Sequence, residues 1–106
     1  MAKVLENNEI EFSKEDISYA WENSPTLINK EPEGFRMCFI CKFFMIKENF
    51  QEGELAWVCE FIDLKKFSLE KENIIAVHPG CREFRHKDDC TKIIKKIKAT
   101  QWSAAE

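Results

Sequence analysis

Apolar residues are spread unevenly along the chain: both ends are polar with single apolar stripes, whereas positions 35–85 crowd aromatic and aliphatic side chains together. Residues 1–12 alternate polar and apolar groups only weakly, the pattern of an extended arm with few contacts of its own. Ser13-Lys14-Glu15-Asp16 then marks a helix start. Ser13 is the expected N-cap, acids occupy the first turn, and Ile17, Ala20 and Trp21 fall on one face at i, i+3 and i+4. Asn23-Ser24-Pro25 ends this helix, and Thr26 to Gly34 reads as an irregular connection punctuated by Pro32 and Gly34. So short an amphipathic helix needs a surface to pack against.

Beyond Phe35 the pattern changes to short apolar runs. Lys42–Ile46 and Leu55–Phe61 read as strands joined through a turn at Gln51-Glu52-Gly53-Glu54, so a hairpin between them is the economical expectation. Ile62 to Asn73 is a charged connection with no decisive period. Ile74–Val77 is a short apolar strand, and His78-Pro79-Gly80 turns the backbone toward Cys81, where a glycine would allow close approach to a bulky group. Asp88-Asp89 is placed to cap a last helix from about Thr91 to about Trp102, with Ile93, Ile94 and Ile97 on one face and lysines around them. These elements predict a small α+β domain in three parts: an arm with a short helix (1–34), a cysteine-rich domain of short antiparallel strands (35–85) and a basic amphipathic helix (86–106). Trp21, Ile93, Ile94, Ile97 and Trp102 are expected to remain exposed in part, for want of enough local core to bury them all.

Composition narrows the class. At 44% hydrophobic and 33% charged residues the chain is neither disordered throughout nor membrane-spanning, since no run approaches the ~20 apolar residues a span requires. The N-terminus carries no apolar signal core, so a reducing cytoplasm is expected, which with an odd count of five cysteines argues against disulfides. The net charge of −3 conceals a gradient: residues 1–37 carry four basic and eight acidic side chains, residues 82–98 seven and three. A solvated helix face explains the basic end, and nucleic acid is not an expected partner because no arginine fork or stacking aromatic series accompanies it. No Ser/His/Asp set or phosphate-cradling glycine loop appears, so no catalytic residue is expected.

The cysteines carry the candidate chemistry. Cys38-Phe39-Ile40-Cys41 is followed after 17 residues by Cys59 and after 21 more by Cys81. Four thiolates could hold a [4Fe-4S] cluster or a Zn²⁺ ion. Zinc ribbons typically use two Cys-x2-Cys knuckles, whereas one pair and two single cysteines better suit a cluster that collects ligands from separate segments and replaces part of a core. Cys90, behind Asp88 and Asp89, is read as a non-ligand because both acids disfavour its thiolate. His78 could replace a ligand, but beside Pro79-Gly80 it reads as a solvent-facing turn residue; His86 is no stronger a candidate.

The run Cys38-x2-Cys41-Lys42-Phe43-Phe44, then Trp57-Val58-Cys59, then Cys81-Arg82-Glu83-Phe84, resembles the cysteine-rich small subunits of glycyl-radical enzymes, above all the X-succinate synthases related to benzylsuccinate synthase. The resemblance spans roughly residues 35 to 85. It implies a domain similar to high-potential iron–sulfur proteins, a [4Fe-4S] cluster on Cys38, Cys41, Cys59 and Cys81, and docking on a large glycyl-radical catalytic subunit that adds a hydrocarbon to fumarate, with room for a second small iron–sulfur subunit. The chain itself would be a non-catalytic accessory subunit. Two other roles fit the same cysteines: an independent electron-transfer iron–sulfur protein, and a structural zinc-binding interaction module with four cysteine ligands.

Overall fold

The computed structural model describes residues 3–6, 10–85 and 88–103, so His86, Lys87 and the two chain ends lie outside the described residues. Strands β1 (Lys3–Val4) and β2 (Ile10–Glu11) pair antiparallel and lead into helix α1 (Lys14–Glu22). α1 starts where the sequence places it. The Ser13 hydroxyl accepts from the Asp16 N–H, while the Asp16 carboxylate accepts from the Ser13 backbone N–H and hydroxyl, a reciprocal cap. Asn23 closes the helix, and its side-chain amide donates to the Lys71 and Ile74 carbonyls, tying the helix end to the strand that follows much later in sequence.

The strand pairing differs from the expected hairpin. β3 (Phe35–Met37) pairs antiparallel with β4 (Phe44–Ile46), and β5 (Val58–Phe61) pairs antiparallel with β6 (Ile74–Val77). The segments expected to pair with each other instead meet only locally: Gln51 donates to the Trp57 carbonyl and Ile46 to the Leu55 carbonyl, around a loop in which Gln51, Gly53 and Leu55 all take positive φ. A loop bent three times into the left-handed region does not deliver two strands in register. The 62–73 connection is an irregular loop ending in a 3-10 turn, Lys71–Asn73, and it is organised by the Asn73 side chain, which bonds Asp63 and Ser68 backbone groups.

All three predicted parts feed one hydrophobic core. α1 packs on β6, whose four residues are buried because both faces are covered. Trp21 lies with its ring 5.1 Å from that of Trp57, and each indole N–H finds a carbonyl, Pro32 for Trp21 and Lys47 for Trp57. Helix α2 (Thr91–Ala99) adds Ile94 and Ile97 to the same core. The expectation that Trp21, Ile94 and Ile97 lack a local core is therefore corrected; Ile93 is exposed and Trp102 half-buried. α2 also stops at Ala99, three residues early, because the chain turns back and Trp102 accepts from the Ile28 N–H through its carbonyl. Cys90, not an acid, is the N-cap of α2 and makes no side-chain cap; Asp89, one residue earlier, accepts from the Thr91 N–H.

Ser24 links the layers: its buried hydroxyl donates to the Ala20 carbonyl at 3.0 Å and accepts from the Ala76 N–H at 3.1 Å. Ser24→Ala would leave the Ala76 donor unsatisfied inside the core, and is expected to lower stability by about 1–3 kcal/mol in chemical denaturation with the m-value unchanged.

Candidate metal centre

The Cys38-x2-Cys41 pair is the tip of the β3–β4 hairpin. Ladder bonding continues past Met37, with the Cys38 N–H donating to the Phe43 carbonyl at 2.9 Å and the Lys42 N–H returning to the Cys38 carbonyl at 2.8 Å. Such a tight reversal forces one residue into the left-handed region, here Lys42 at φ 63°. The turn places Cys38 in the core and Cys41 in solvent.

A second turn faces it. β6 ends at Val77, and His78 leads into the 3-10 turn Pro79–Phe84, in which the Cys81 N–H donates to the His78 carbonyl. The metal-ligating atoms of Cys38, Cys41, His78 and Cys81 all lie within 4.8 Å of one another, close enough to hold a metal ion. His78 is the hinge of this arrangement. Its Nε2 lies 2.9 Å from the Phe44 carbonyl, which can only accept, so Nε2 carries the proton and Nδ1 presents its lone pair to the Cys41 sulfur at 3.2 Å and the Cys81 sulfur at 4.0 Å.

Three of the four sequence-predicted cysteines thus converge and the fourth does not. Cys59 sits in the middle of β5 opposite Ala76, buried in the core cluster and outside the group that Cys38, Cys41, His78 and Cys81 form. Cys90 also stands apart, buried against Arg85, whose Nη2 lies 3.2 Å from its sulfur. His78, expected as a solvent-facing turn residue, is half-buried and joins the converging group. The signal that identifies it is spacing: His78-Pro79-Gly80-Cys81 is itself an x2 ligand pair once histidine is counted with cysteine, so the chain has two knuckles 36 residues apart. Gly80, expected to permit close approach to a bulky group, has no atom of the chain within 4 Å of where a Cβ would stand.

Electrostatics separate the two kinds of cysteine. Burial pushes the Cys59 thiol up to about 12, with the Asp16 carboxylate adding to it, so Cys59 is a neutral packing residue near neutral pH. Burial followed by the crowding of Cys38 and Cys41 likewise pushes Cys81 up to about 12. Three sulfurs so close repel one another as thiolates unless a cation sits among them. Cys41 opens onto a groove of about 560 Å³ lined by Phe43, Gln51, Leu55, His78 and Pro79, so an ion held here is reachable from solvent on one side.

Compared with protein families, curated proteins and solved structures, the chain matches none. Among the described residues no helix is long and apolar enough to cross a membrane.

Two measurements follow from this geometry. Lys42→Gly removes a left-handed strain of about 1–2 kcal/mol but adds backbone entropy, so stability should change by less than about 1 kcal/mol with metal retained; Lys42→Val should lose about 1–2 kcal/mol by sharpening the same strain. In metal-free protein, Cys59 and Cys81 keep their protons to about 12 when folded but release them near the ordinary 9.0 when unfolded. The unfolded state then binds fewer protons across that window, so the denaturation midpoint should hold steady below pH 9 and fall as pH rises from 9 toward 12.

Proposed function

We propose that this protein is a small structural zinc module, in which Cys38, Cys41, His78 and Cys81 hold one Zn²⁺ ion and thereby clamp the β3–β4 hairpin to the turn that follows β6. The observation that carries this reading is His78: its Nε2–H is anchored on a backbone carbonyl and its Nδ1 faces the sulfurs, the arrangement by which a ligating histidine is normally oriented. Zn–S bonds of about 2.3 Å in a tetrahedron put sulfurs about 3.8 Å apart, a spacing compatible with ligand atoms that all lie within 4.8 Å of one another. A [4Fe-4S] cube binds its four cysteines at different corners, so its sulfurs stand farther apart than those of a single ion, and Cys59 would have to leave its place opposite Ala76 to join them.

Four protein ligands fill a tetrahedral shell and leave no position for water or substrate, which favours a structural and interaction role over metal catalysis. When bound, the ion supplies the positive charge that lets three neighbouring thiols ionise. The accessory role beside a large glycyl-radical subunit, implied by the resemblance to the small subunits of those enzymes, belongs with the cluster, and metal analysis separates the two.

Full-length protein purified anaerobically should contain one zinc per chain with neither iron nor acid-labile sulfide, and Co²⁺ in its place should give the absorption of a tetrahedral thiolate site. His78→Ala and Cys81→Ser should each weaken metal binding by at least about tenfold, by loss of one ligand, whereas Cys59→Ala should keep one ion per chain. Stoichiometric iron and sulfide, lost in Cys59→Ala and kept in His78→Ala, would overturn the zinc assignment in favour of the cluster.

A further inference from the structure

A pocket of about 400 Å³ lies between the C-terminal end of α1 and the segment leaving α2, lined by Glu22, Thr26, Arg36, Lys98, Thr100 and Trp102 among others. Its polar wall is built. Arg36 is held rigidly by three backbone carbonyls: Nε donates to Pro32 at 3.0 Å, and Nη1 to Glu22 at 2.8 Å and Ser24 at 3.1 Å. These bonds account for Arg36 as a clamp on the end of α1, where a cation complements the helix dipole. They leave Nη2 without a hydrogen bond among the described residues.

Lys98 lines the same pocket, and Arg36 is near enough that its charge, after burial, holds the Lys98 amine below the ordinary lysine range. Glu22 is the single acidic residue in the lining; burial lowers the Arg36 guanidinium and Glu22 only partly offsets that, and among the described residues neither Arg36 nor Lys98 is in a salt bridge. Two cations and one carboxylate leave the pocket one positive charge in excess. One wall is the half-buried Trp102, whose indole N–H is already committed to the Ile97 carbonyl at 3.0 Å, so the ring offers apolar surface rather than a donor. Rigid guanidinium, second cation and aromatic wall are the complement of a small anion with a flat body.

We propose that this pocket binds a small organic oxyanion, a carboxylate or phosphate ester, with its charged head between Arg36 and Lys98 and its body against Trp102. The site is independent of the metal centre and stands whether zinc or a cluster occupies the latter. Arg36→Gln would also sever three backbone ties, so Lys98→Gln, which severs none of them, carries the test.

The full-length protein, with its metal as isolated, is titrated at low salt with inorganic phosphate, benzoate and phenyl phosphate while backbone amide resonances are followed by NMR. Saturable shifts are expected at Thr26, Thr100, Gln101 and Trp102, with phenyl phosphate binding more tightly than inorganic phosphate. Lys98→Gln should leave the rest of the spectrum in place and weaken binding about tenfold or more, the loss of one charge-assisted hydrogen bond. Absence of saturable shifts with all three probes, shifts centred on other residues, or unchanged affinity in Lys98→Gln would overturn the site; equal affinity for phosphate and phenyl phosphate would overturn the role of Trp102.

Discussion

The interaction on which the rest depends is the anchoring of His78 between a backbone carbonyl and three sulfurs. The Nε2–H···O=C bond to Phe44 joins the strand that leaves the first knuckle to the residue that opens the second. The β3–β4 and β5–β6 pairs are separate two-stranded ribbons, each too small to be stable alone, and this bond joins them at the edge of the core they share. The bond orients the ring so that Nδ1 faces the Cys41 and Cys81 sulfurs, in a group of four side chains close enough to hold a metal ion. A metal ion held there would close the 36 residues between Cys41 and His78 and so restrict the unfolded chain.

Around that centre the core is assembled from distant parts of the sequence. β6 is its floor, covered by α1 and flanked by β5. Polar groups that do enter are matched one by one: Ser24 to Ala20 and Ala76, Asn23 to the start of β6, Arg85 to the carbonyls of Phe61 and Ile62. Asp16 illustrates the balance. Burial works against its charge, but the backbone N–H and hydroxyl of Ser13 outweigh that and hold its carboxyl below the ordinary range, so the helix cap remains ionised beside the core.

The opposite charges of the two ends acquire a structural meaning once the chain is folded. The end of acidic α1 and the end of basic α2 come together around Arg36 and Lys98, where the chain after α2 returns to bond Ile28. The basic stripe is therefore partly drawn into a pocket wall, while Ile94 and Ile97 on the same helix serve the core. One helix thus contributes its apolar face to stability and its last lysine, Lys98, to a polar cavity.

Local signals were enough for both helices, for β6 and for the first knuckle. Ser13-x-x-Asp16 with an i, i+3, i+4 stripe describes α1 because capping and amphipathicity act within one or two turns, and Cys-x2-Cys describes a tight turn because the geometry lies within five residues. Three of the four residues that converge closely enough to hold a metal ion, Cys38, Cys41 and Cys81, were also legible in the sequence. Only the tertiary structure decided which strands pair and which residue completes the set. Strand pairing depends on how the 47–57 loop bends, through positive φ at Gln51, Gly53 and Leu55, and two of those residues carry no glycine signature. His78 lies in the converging group and Cys59 outside it for a reason of position. Cys59 lies mid-strand, where pairing to Ala76 holds it in the core, while His78 lies one residue past a strand end, where the backbone is free to turn its ring toward the sulfurs.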